Sequence, residues 1–313
     1  MKFLKGLFAA LLAVSLTACA SNDADKKETK KEEEPIKVLT PMGAPSLAML
    51  GLYGDDKVTL ETVDGTDVLT AQLSKADGEY DAIIAPINMG AKLLEKGKSE
   101  YLLDSVVTWG NLYIVGTDEN ALSEDGMFAA FGEQAVPQIV MTSSMDMDSI
   151  VPTVTYFNSA NEVQAQLLSK KANVGLLAEP AATATIAKAK EQGLELKVLK
   201  DLQKEYQEKN QMKESGYPQA ALFVKKGSED KVASYMAKAK TFANETSLND
   251  ESAITKAVEL ATPDKLGIPN ANIAVKTWKR QNIKYVKATE VKTDIETFLK
   301  RFKITLSDDK YTK

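Results

Sequence analysis

Short apolar runs alternate with helical patterns along most of the chain, and this alternation limits the folds that the sequence can adopt. Residues 36–40 are apolar and β-branched, and a turn at 41–46 leads into a helical pattern at 47–50. Residues 57–63 predict the next strand, and 67–75 predict the helix that follows it. Strands that alternate with helices of this length favour parallel pairing in an α/β fold.

The same unit recurs further along the chain. Apolar runs predict more strands, and the patterns between them predict helices that reach Leu94, begin near Pro137 and span 158–170; the strands are at 80–85, 112–116, 127–131, 154–157, 174–178 and 220–225. After residue 225, helical patterns dominate. The second series resembles a second copy of the first, so we predict two doubly wound α/β lobes.

Two stretches of the chain are predicted to connect the lobes. We place these crossovers near 113–117 and 220–225. Lobe one then comprises residues 36–114 and 223–313, and lobe two comprises 115–222. Two connecting strands would form a hinge, which is the geometry of clamshell closure.

The N-terminus has the features of an export signal. Lys2 and Lys5 precede an apolar run at 7–16 that is too short to span a bilayer, which predicts a signal peptide at 1–18. The run ends in Leu-Thr-Ala-Cys, which resembles the lipobox of bacterial lipoproteins. The resemblance implies that Cys19 carries lipid such as palmitate and anchors the chain to the extracytoplasmic face of the cell membrane. An ordinary cleavage site with a chance cysteine is the alternative.

Residues 19–35 are rich in Lys, Asp and Glu and contain almost nothing apolar. Such a composition buries too little surface to offset the entropy of an ordered chain. We predict a flexible tether that lets an anchored domain reach a membrane partner.

Composition excludes several classes of function. The chain has one cysteine and no histidine, which disfavours disulfides, thiolate catalysis, zinc sites and most acid–base catalysis near neutral pH. A net charge of −5 leaves no basic face, so we expect no nucleic-acid partner. Met141, Met145 and Met147 lie near two aspartates, but we interpret them as ordinary core or loop residues. We expect a monomer that is not an enzyme and has no metal or cofactor.

Three stretches carry a resemblance to a known family, namely 80–88 (YDAIIAPIN), 131–137 (FGEQAVP) and 171–180 (KANVGLLAEP). From residue 36 to about 302, the chain resembles class II periplasmic-binding-like proteins of the nitrate, sulfonate and thiamine-precursor type. Lys170-Lys171 departs from the pattern, because relatives often have Gly in this turn. Family members bind nitrate, sulfonates, bicarbonate or pyrimidine-type precursors.

The resemblance implies a substrate-binding lipoprotein that delivers a small polar solute, with nitrogen heterocycles as one candidate class, to an ABC importer whose permease and ATPase are its partners. A surface adhesin or sensory lipoprotein on the same fold is an alternative. The pyrimidine synthases that resemble this family are a weaker one, because they depend on histidine and cysteine residues that this sequence lacks.

Candidate ligand-binding residues lie after predicted strands, where ligands bind in such folds. Gly43 and Ser46 could offer backbone N–H groups and a hydroxyl, or Ser46 could simply cap a helix. Asp64 and Thr66 follow the next strand, with capping by Thr66 as the alternative. Asn88 offers a donor and an acceptor, or an N-cap.

Other candidates lie near the crossovers and in lobe two. Trp109 could stack on a planar ligand beside Asn111, although a core Trp is the more usual outcome. Gly132 and Gln134 open a helix and could present backbone donors, or form a tight turn. Gln219 precedes the second crossover and could line the cleft.

Glu179 follows a predicted strand, and among the candidate residues it gives the strongest indication of the charge of the ligand. A carboxylate there suits an amine, an amidine or a ring N–H, whereas it would repel nitrate or sulfonate. The sequence therefore favours a neutral or cationic nitrogenous ligand over an anion.

Overall fold

The computed structural model describes residues 34–214 and 216–313. The predicted signal peptide, Cys19 and most of the predicted tether lie outside these residues. Within the described ranges, no helix is both long enough and apolar enough to cross a membrane.

The strands of the described residues form two sheets, one of six strands and one of five. In chain order they are β1 Ile36–Pro41, β2 Val58–Val63, β3 Ala82–Pro86, β4 Tyr101–Thr108, β5 Leu112–Gly116, β6 Met127–Phe131, β7 Thr153–Phe157, β8 Val174–Ala178, β9 Lys197–Asp201, β10 Ala220–Lys225 and β11 Ile283–Lys287. The six-stranded order is β11-β4-β10-β3-β1-β2, and the five-stranded order is β7-β6-β8-β5-β9.

Helices cover the sheets and fill most of the C-terminal region. They are α1 Ala44–Leu47, α2 Asp67–Leu73, α3 Ile87–Glu95, α4 Val136–Ser144, α5 Ala160–Leu168, α6 Ala181–Glu191, α7 Leu202–Asn210, α8 Glu229–Thr241, α9 Ser247–Asn249, α10 Glu251–Ala261, α11 Pro263–Leu266, α12 Ala271–Thr277 and α13 Lys292–Lys300. A 3₁₀ turn at Trp278–Gln281 follows α12. The start of α5 follows from a local sequence signal, because the Ser159 hydroxyl accepts the Glu162 N–H and caps this helix.

Both sheets are mixed, which corrects the predicted parallel pairing. β1, β2 and β3 are parallel to one another, and so are β6, β7 and β8. However, β10 runs antiparallel to β3 and β4, and β5 runs antiparallel to β8 and β9. The reason lies in the connections, because a strand that arrives directly from the other sheet enters at the carboxyl edge and must run back from it.

The chain passes from the six-stranded sheet to the five-stranded sheet between Thr108 and Leu112, and returns between Asn210 and Ala220. Two backbone hydrogen bonds join these passages, from the Tyr217 N–H to the Trp109 carbonyl (3.1 Å) and from the Gln219 N–H to the Thr108 carbonyl (3.0 Å). The predicted α/β class with a two-strand hinge is confirmed.

The approach of the two passages depends on Gly216, which has φ +96° and would place a Cβ 1.9 Å from the Trp109 carbonyl oxygen. A side chain there would force the two segments apart. The division into lobes at 114/115 and 222/223 stays a proposal; by sheet membership, Leu112 already belongs to the five-stranded sheet and Ala220 to the six-stranded one.

Alternate residues of the central strands pack into different cores, as expected for sheets covered on both faces. Ile83 and Phe223 join one hydrophobic cluster, whereas Ile84 and Leu222 join another. The first cluster also contains Ile114 and other residues of the five-stranded sheet, so one core runs continuously between the two sheets.

Candidate functional site

A pocket of about 210 Å³ lies between the two sheets. The six-stranded side contributes Pro41, Pro45, Pro86, Gln219 and Ala220, and the five-stranded side contributes Leu112, Phe131, Val136, Pro137 and Ala178. Most of these residues end or directly follow parallel strands, or begin the antiparallel strand beside them. The carboxyl ends of both sheets therefore meet at this pocket, which is where ligands bind in open α/β sheets.

The lining of the pocket is almost entirely apolar. It contains four prolines, and none of its residues carries a charge. Proline has no backbone N–H, so prolines at a strand end remove donors that would otherwise face the pocket. The side chain of Gln219 is the polar group of the lining.

Gln219 is held in place by a chain of amide contacts. Its Nε2 donates to Asn111 Oδ1 (3.1 Å), and the Asn111 Nδ2 donates to the Glu179 carbonyl (2.9 Å). Asn111 is 6% exposed, and its own carbonyl accepts the Glu179 N–H at 2.9 Å. The structure thus connects three of the predicted site residues, two of them in the passage regions and one at the end of β8.

The Glu179 side chain is buried and its oxygens already have partners. Oε1 accepts the Thr183 hydroxyl (2.9 Å) and lies 2.7 Å from Arg280 Nη2, while Oε2 accepts the Thr183 N–H (3.2 Å). Glu179 follows β8, whereas Arg280 lies in the 3₁₀ turn after α12, so the ion pair connects the five-stranded sheet to the C-terminal helices. This arrangement removes the argument for a cationic ligand, because Arg280 already compensates the carboxylate.

Tyr113 completes the contact around Arg280. The guanidinium carbon lies 4.5 Å from the centre of the Tyr113 ring, and the Tyr113 hydroxyl donates to the Arg280 carbonyl at 2.8 Å. Cation–π contact favours a guanidinium at this distance. Burial raises the pKa of the Tyr113 hydroxyl to about 12.

Trp109 and Ser46 are buried in the interior. Trp109 is 0% exposed and its indole N–H donates to the Lys284 carbonyl at 2.9 Å, so the structure assigns it to the core and leaves no indole surface for stacking on a ligand. The Ser46 hydroxyl is also fully buried and donates to the Gly43 carbonyl at 2.8 Å. The Gly43 N–H donates to the Leu266 carbonyl, which occupies the backbone donor that the sequence offered to a ligand.

The remaining predicted residues surround the pocket without being part of its lining. Asp64 and Thr66 are exposed at the end of β2, the edge strand of the six-stranded sheet. Gln134 is exposed, and its N–H donates to Gln138 Oε1 at 2.5 Å. Gly132, at φ +72°, would place a Cβ 2.6 Å from Pro137 of the pocket wall.

Asn88 lies in the first turn of α3, next to Pro86 and Ile87. Its Oδ1 is buried and has no hydrogen-bond partner among the described residues. Buried amide oxygens are normally satisfied, so this atom has unused capacity for an acceptor contact.

Comparison with known proteins gives matches at the level of structure. Neither a protein-family model nor a curated protein matches the sequence. An ABC transporter protein from Parabacteroides distasonis superposes with a TM-score of 0.66 at 22% identity, covering 86% of this chain and 92% of that one. The ligand-binding component of an ABC-type import system from Staphylococcus aureus, with zinc bound, gives 0.60 at 16% identity, covering 90% and 96%. The periplasmic aliphatic sulphonate-binding protein of Escherichia coli gives 0.56 at 12% identity, covering 87% and 88%.

This is the fold of ABC-transporter substrate-binding proteins.

Within this substrate-binding-protein fold, sequence reasoning missed Arg280 and most of the pocket lining. Arg280 lies 101 positions after Glu179, so no local pattern connects the two. One signal was available, because Arg280 and Arg301 are the two arginines among 39 basic residues. Arginine in a lysine-rich chain indicates a fixed pairing, since its planar guanidinium suits buried carboxylates better than lysine does.

The described part of this substrate-binding-protein fold also limits metal chemistry. In residues 34–214 and 216–313, no group of three or more His, Cys, Asp or Glu side chains is placed to hold a metal ion. The ion-paired side of the cleft and the apolar pocket are therefore the two features on which a functional proposal depends.

Proposed function

We propose that this chain is an extracytoplasmic substrate-binding lipoprotein that captures a small solute between its two sheets and delivers it to an ABC importer. The observation that carries the proposal is the pocket at the carboxyl ends of both sheets, with walls from each. A ligand in this pocket contacts both halves of the molecule at once. The structural neighbours that bind ligands for ABC import support the same function.

Binding in such a pocket would favour a closed arrangement. Within the described residues, the two passages of the chain are what connects the sheets covalently. A ligand that touches both walls of the pocket makes more contacts when the walls are close together. An ABC permease would distinguish the closed form from the open form, and its ATPase would supply the energy of transport. No covalent chemistry is required of this chain.

The membrane attachment is part of the proposal. The Leu-Thr-Ala-Cys sequence at 16–19 and the charged stretch after it support a lipid anchor at Cys19 and a tether to the binding domain. In cells fed a labelled fatty acid, the wild-type chain should take up label and fractionate with membranes. Cys19→Ser should do neither, and a labelled Cys19→Ser variant would remove the lipid anchor from the proposal.

The binding function is tested by thermal unfolding of the full-length protein in detergent against thiamine precursors, nucleobases, amino-acid derivatives, sulfonates and nitrate. A solute that binds the native state raises the unfolding midpoint, and the increase grows with the logarithm of the solute concentration above its Kd. Ala178→Leu adds bulk to the pocket wall and should abolish the increase, whereas Ala187→Leu on the exposed surface of α6 should keep it. A solute that stabilises both variants equally binds elsewhere and contradicts the proposed site.

A further inference from the structure

We propose that the pocket takes a neutral, ring-sized molecule with an apolar body and one amide-like edge, recognised by Gln219. This inference rests on the proposed function and names its substrate class. The proposal depends on the combination of an uncharged apolar lining with one half-buried side-chain amide that retains unused hydrogen-bonding capacity.

The charge of the ligand follows from the lining. None of the residues around the pocket is ionisable, and the neighbouring Glu179 is already compensated by Arg280 at 2.7 Å. An ion that entered this pocket would lose its hydration and find no opposite charge in the walls. The uncharged side chains of the pocket therefore favour a neutral molecule over an ion of either sign.

The size and shape of the ligand follow from the volume. An apolar cavity of about 150 Å³ binds benzene. At about 210 Å³, this pocket has room for a single ring with one or two small substituents. Polyols and sugars are excluded by the lining, because their many hydroxyl groups would lose hydration against proline, leucine and phenylalanine side chains.

The polar edge of the ligand follows from the amide contacts. Gln219 Nε2 has two hydrogens, and one of them is donated to Asn111 Oδ1. Oε1 receives only a long contact of 3.5 Å from the Thr108 hydroxyl. One hydrogen of Nε2 and most of the acceptor capacity of Oε1 therefore remain on Gln219. A lactam, a primary amide or a neutral nitrogen heterocycle offers a donor and an acceptor that can pair with them.

Asn111 fixes the orientation of this amide. Its Nδ2 and its backbone carbonyl both bond to Glu179, and its burial prevents rotation into solvent. A site built to hydrogen-bond a donor–acceptor edge rejects analogues that lack one, because its own groups would be left unpaired. Recognition through Gln219 therefore gives selectivity that the apolar walls alone cannot supply.

Three isosteric probes separate the possibilities, namely benzamide, benzoate and benzamidinium. Each is measured by titration calorimetry against the full-length protein in detergent. Benzamide is expected to bind at least tenfold more tightly than either ion. Gln219→Leu should weaken benzamide at least tenfold, and Gln219→Glu should shift the preference to benzamidinium, a gain that a merely misfolded variant cannot show.

Tighter or equal binding of benzoate or benzamidinium to the wild type overturns the neutral class. If Ala178→Leu blocks that ion, the pocket is still the binding site and the proposed function stands. Failure of all three probes to bind also overturns the class, and the wider solute panel with Ala178→Leu then decides the proposed function separately. Unchanged benzamide affinity in Gln219→Leu removes Gln219 from recognition.

Discussion

Two neighbouring regions join the halves of this molecule, and they use opposite chemistry. Around Glu179 and Arg280, the contact is ionic, and both carboxylate oxygens have partners. In the pocket, whose wall includes the adjacent residue Ala178, the lining is apolar and a single side-chain amide remains partly unpaired. The comparison shows that a charged residue beside a cleft need not bind the ligand, because its charge can be paired with an opposite charge within the protein.

The difference also separates two kinds of mutational effect. Changes on the ion-paired side should alter stability and leave ligand preference unchanged, since the charges there face each other. Changes on the pocket side should alter affinity or the shape of the walls. Four substitutions follow from this separation, and the first two have matched control variants.

The largest effect is expected for Arg280→Met. It leaves the buried Glu179 carboxylate without its cationic partner, and breaking a buried pair by removing one partner costs about 3 kcal/mol. Denaturant unfolding measures this loss as a lower transition midpoint. Arg301→Met is the matched control, because Arg301 makes an exposed contact with Asn210 and its loss should cost less than about 1 kcal/mol. Equal losses of unfolding free energy in the two variants would show that the Glu179–Arg280 ion pair stabilises the fold no more than an exposed contact does.

Gly132→Ala tests the pocket wall. Its positive φ and the 2.6 Å approach of the new Cβ to Pro137 should lower the unfolding free energy by about 2 kcal/mol. Gly65→Ala has a similar φ of +76° and open space around the Cβ, so it should cost only about 1 kcal/mol. Ligand binding should weaken in Gly132→Ala alone. If both variants lose the same unfolding free energy and keep the same ligand affinity, Pro137 moves aside without cost and the close approach at Gly132 does not matter.

Glu179→Gln should have a smaller effect on stability, about 1 kcal/mol, because the amide keeps an acceptor for Thr183 and Arg280 can be hydrated at its exposed side. Titration of benzamide against this variant should give the wild-type affinity. A tenfold loss of affinity there would return Glu179 to the binding site, as the sequence first indicated.

The smallest effect concerns pH. Burial raises the pKa of Tyr113 to about 12, whereas the pKa of a tyrosine in the unfolded chain is about 10. The stability contributed by this difference is fully present below about pH 10 and is lost as the pH rises toward about 12. Tyr113→Phe removes the ionisable group, so its stability should fall less steeply than that of the wild type between these pH values. Parallel curves from denaturant unfolding at several pH values would contradict the assignment.

Much of the fold was predictable because its central strands are continuous apolar runs. β1, β3, β8 and β10 were placed within two residues of their observed bounds. β4 was missed, since Asp104 and Ser105 interrupt its apolar pattern. Asp104 is tolerated there because Lys287 Nζ lies 2.6 Å from its carboxylate and Thr312 donates to it at 2.8 Å, and neither partner is close in sequence.

The site was predictable in place but not in composition. The rule that ligands bind beyond strand ends led to the turns beside the pocket, and the position before the second predicted crossover led to Gln219. Both singled out polar residues where the lining is almost entirely apolar. The role of Glu179 could not be read from its neighbours, because its cationic partner Arg280 lies in a turn that is distant in sequence. Position after a strand identified the region of the cleft, but it did not show which polar groups there are already hydrogen-bonded within the protein.

The interleaving of the chain also sets an order of folding. β10 lies between β3 and β4, and β11 forms the edge beside β4, so the six-stranded sheet cannot be completed until residue 287 has been synthesised, whereas the five-stranded sheet needs nothing beyond Asp201. Local pairing forms before pairing that requires long loop closure. In pulse-labelled refolding, amides of β5 and β8 should gain protection from hydrogen exchange before those of β3 and β10, and the reverse order would refute this. The pocket is therefore completed late in folding, because Gln219 and Ala220 of its wall come into place only when β10 pairs with β3.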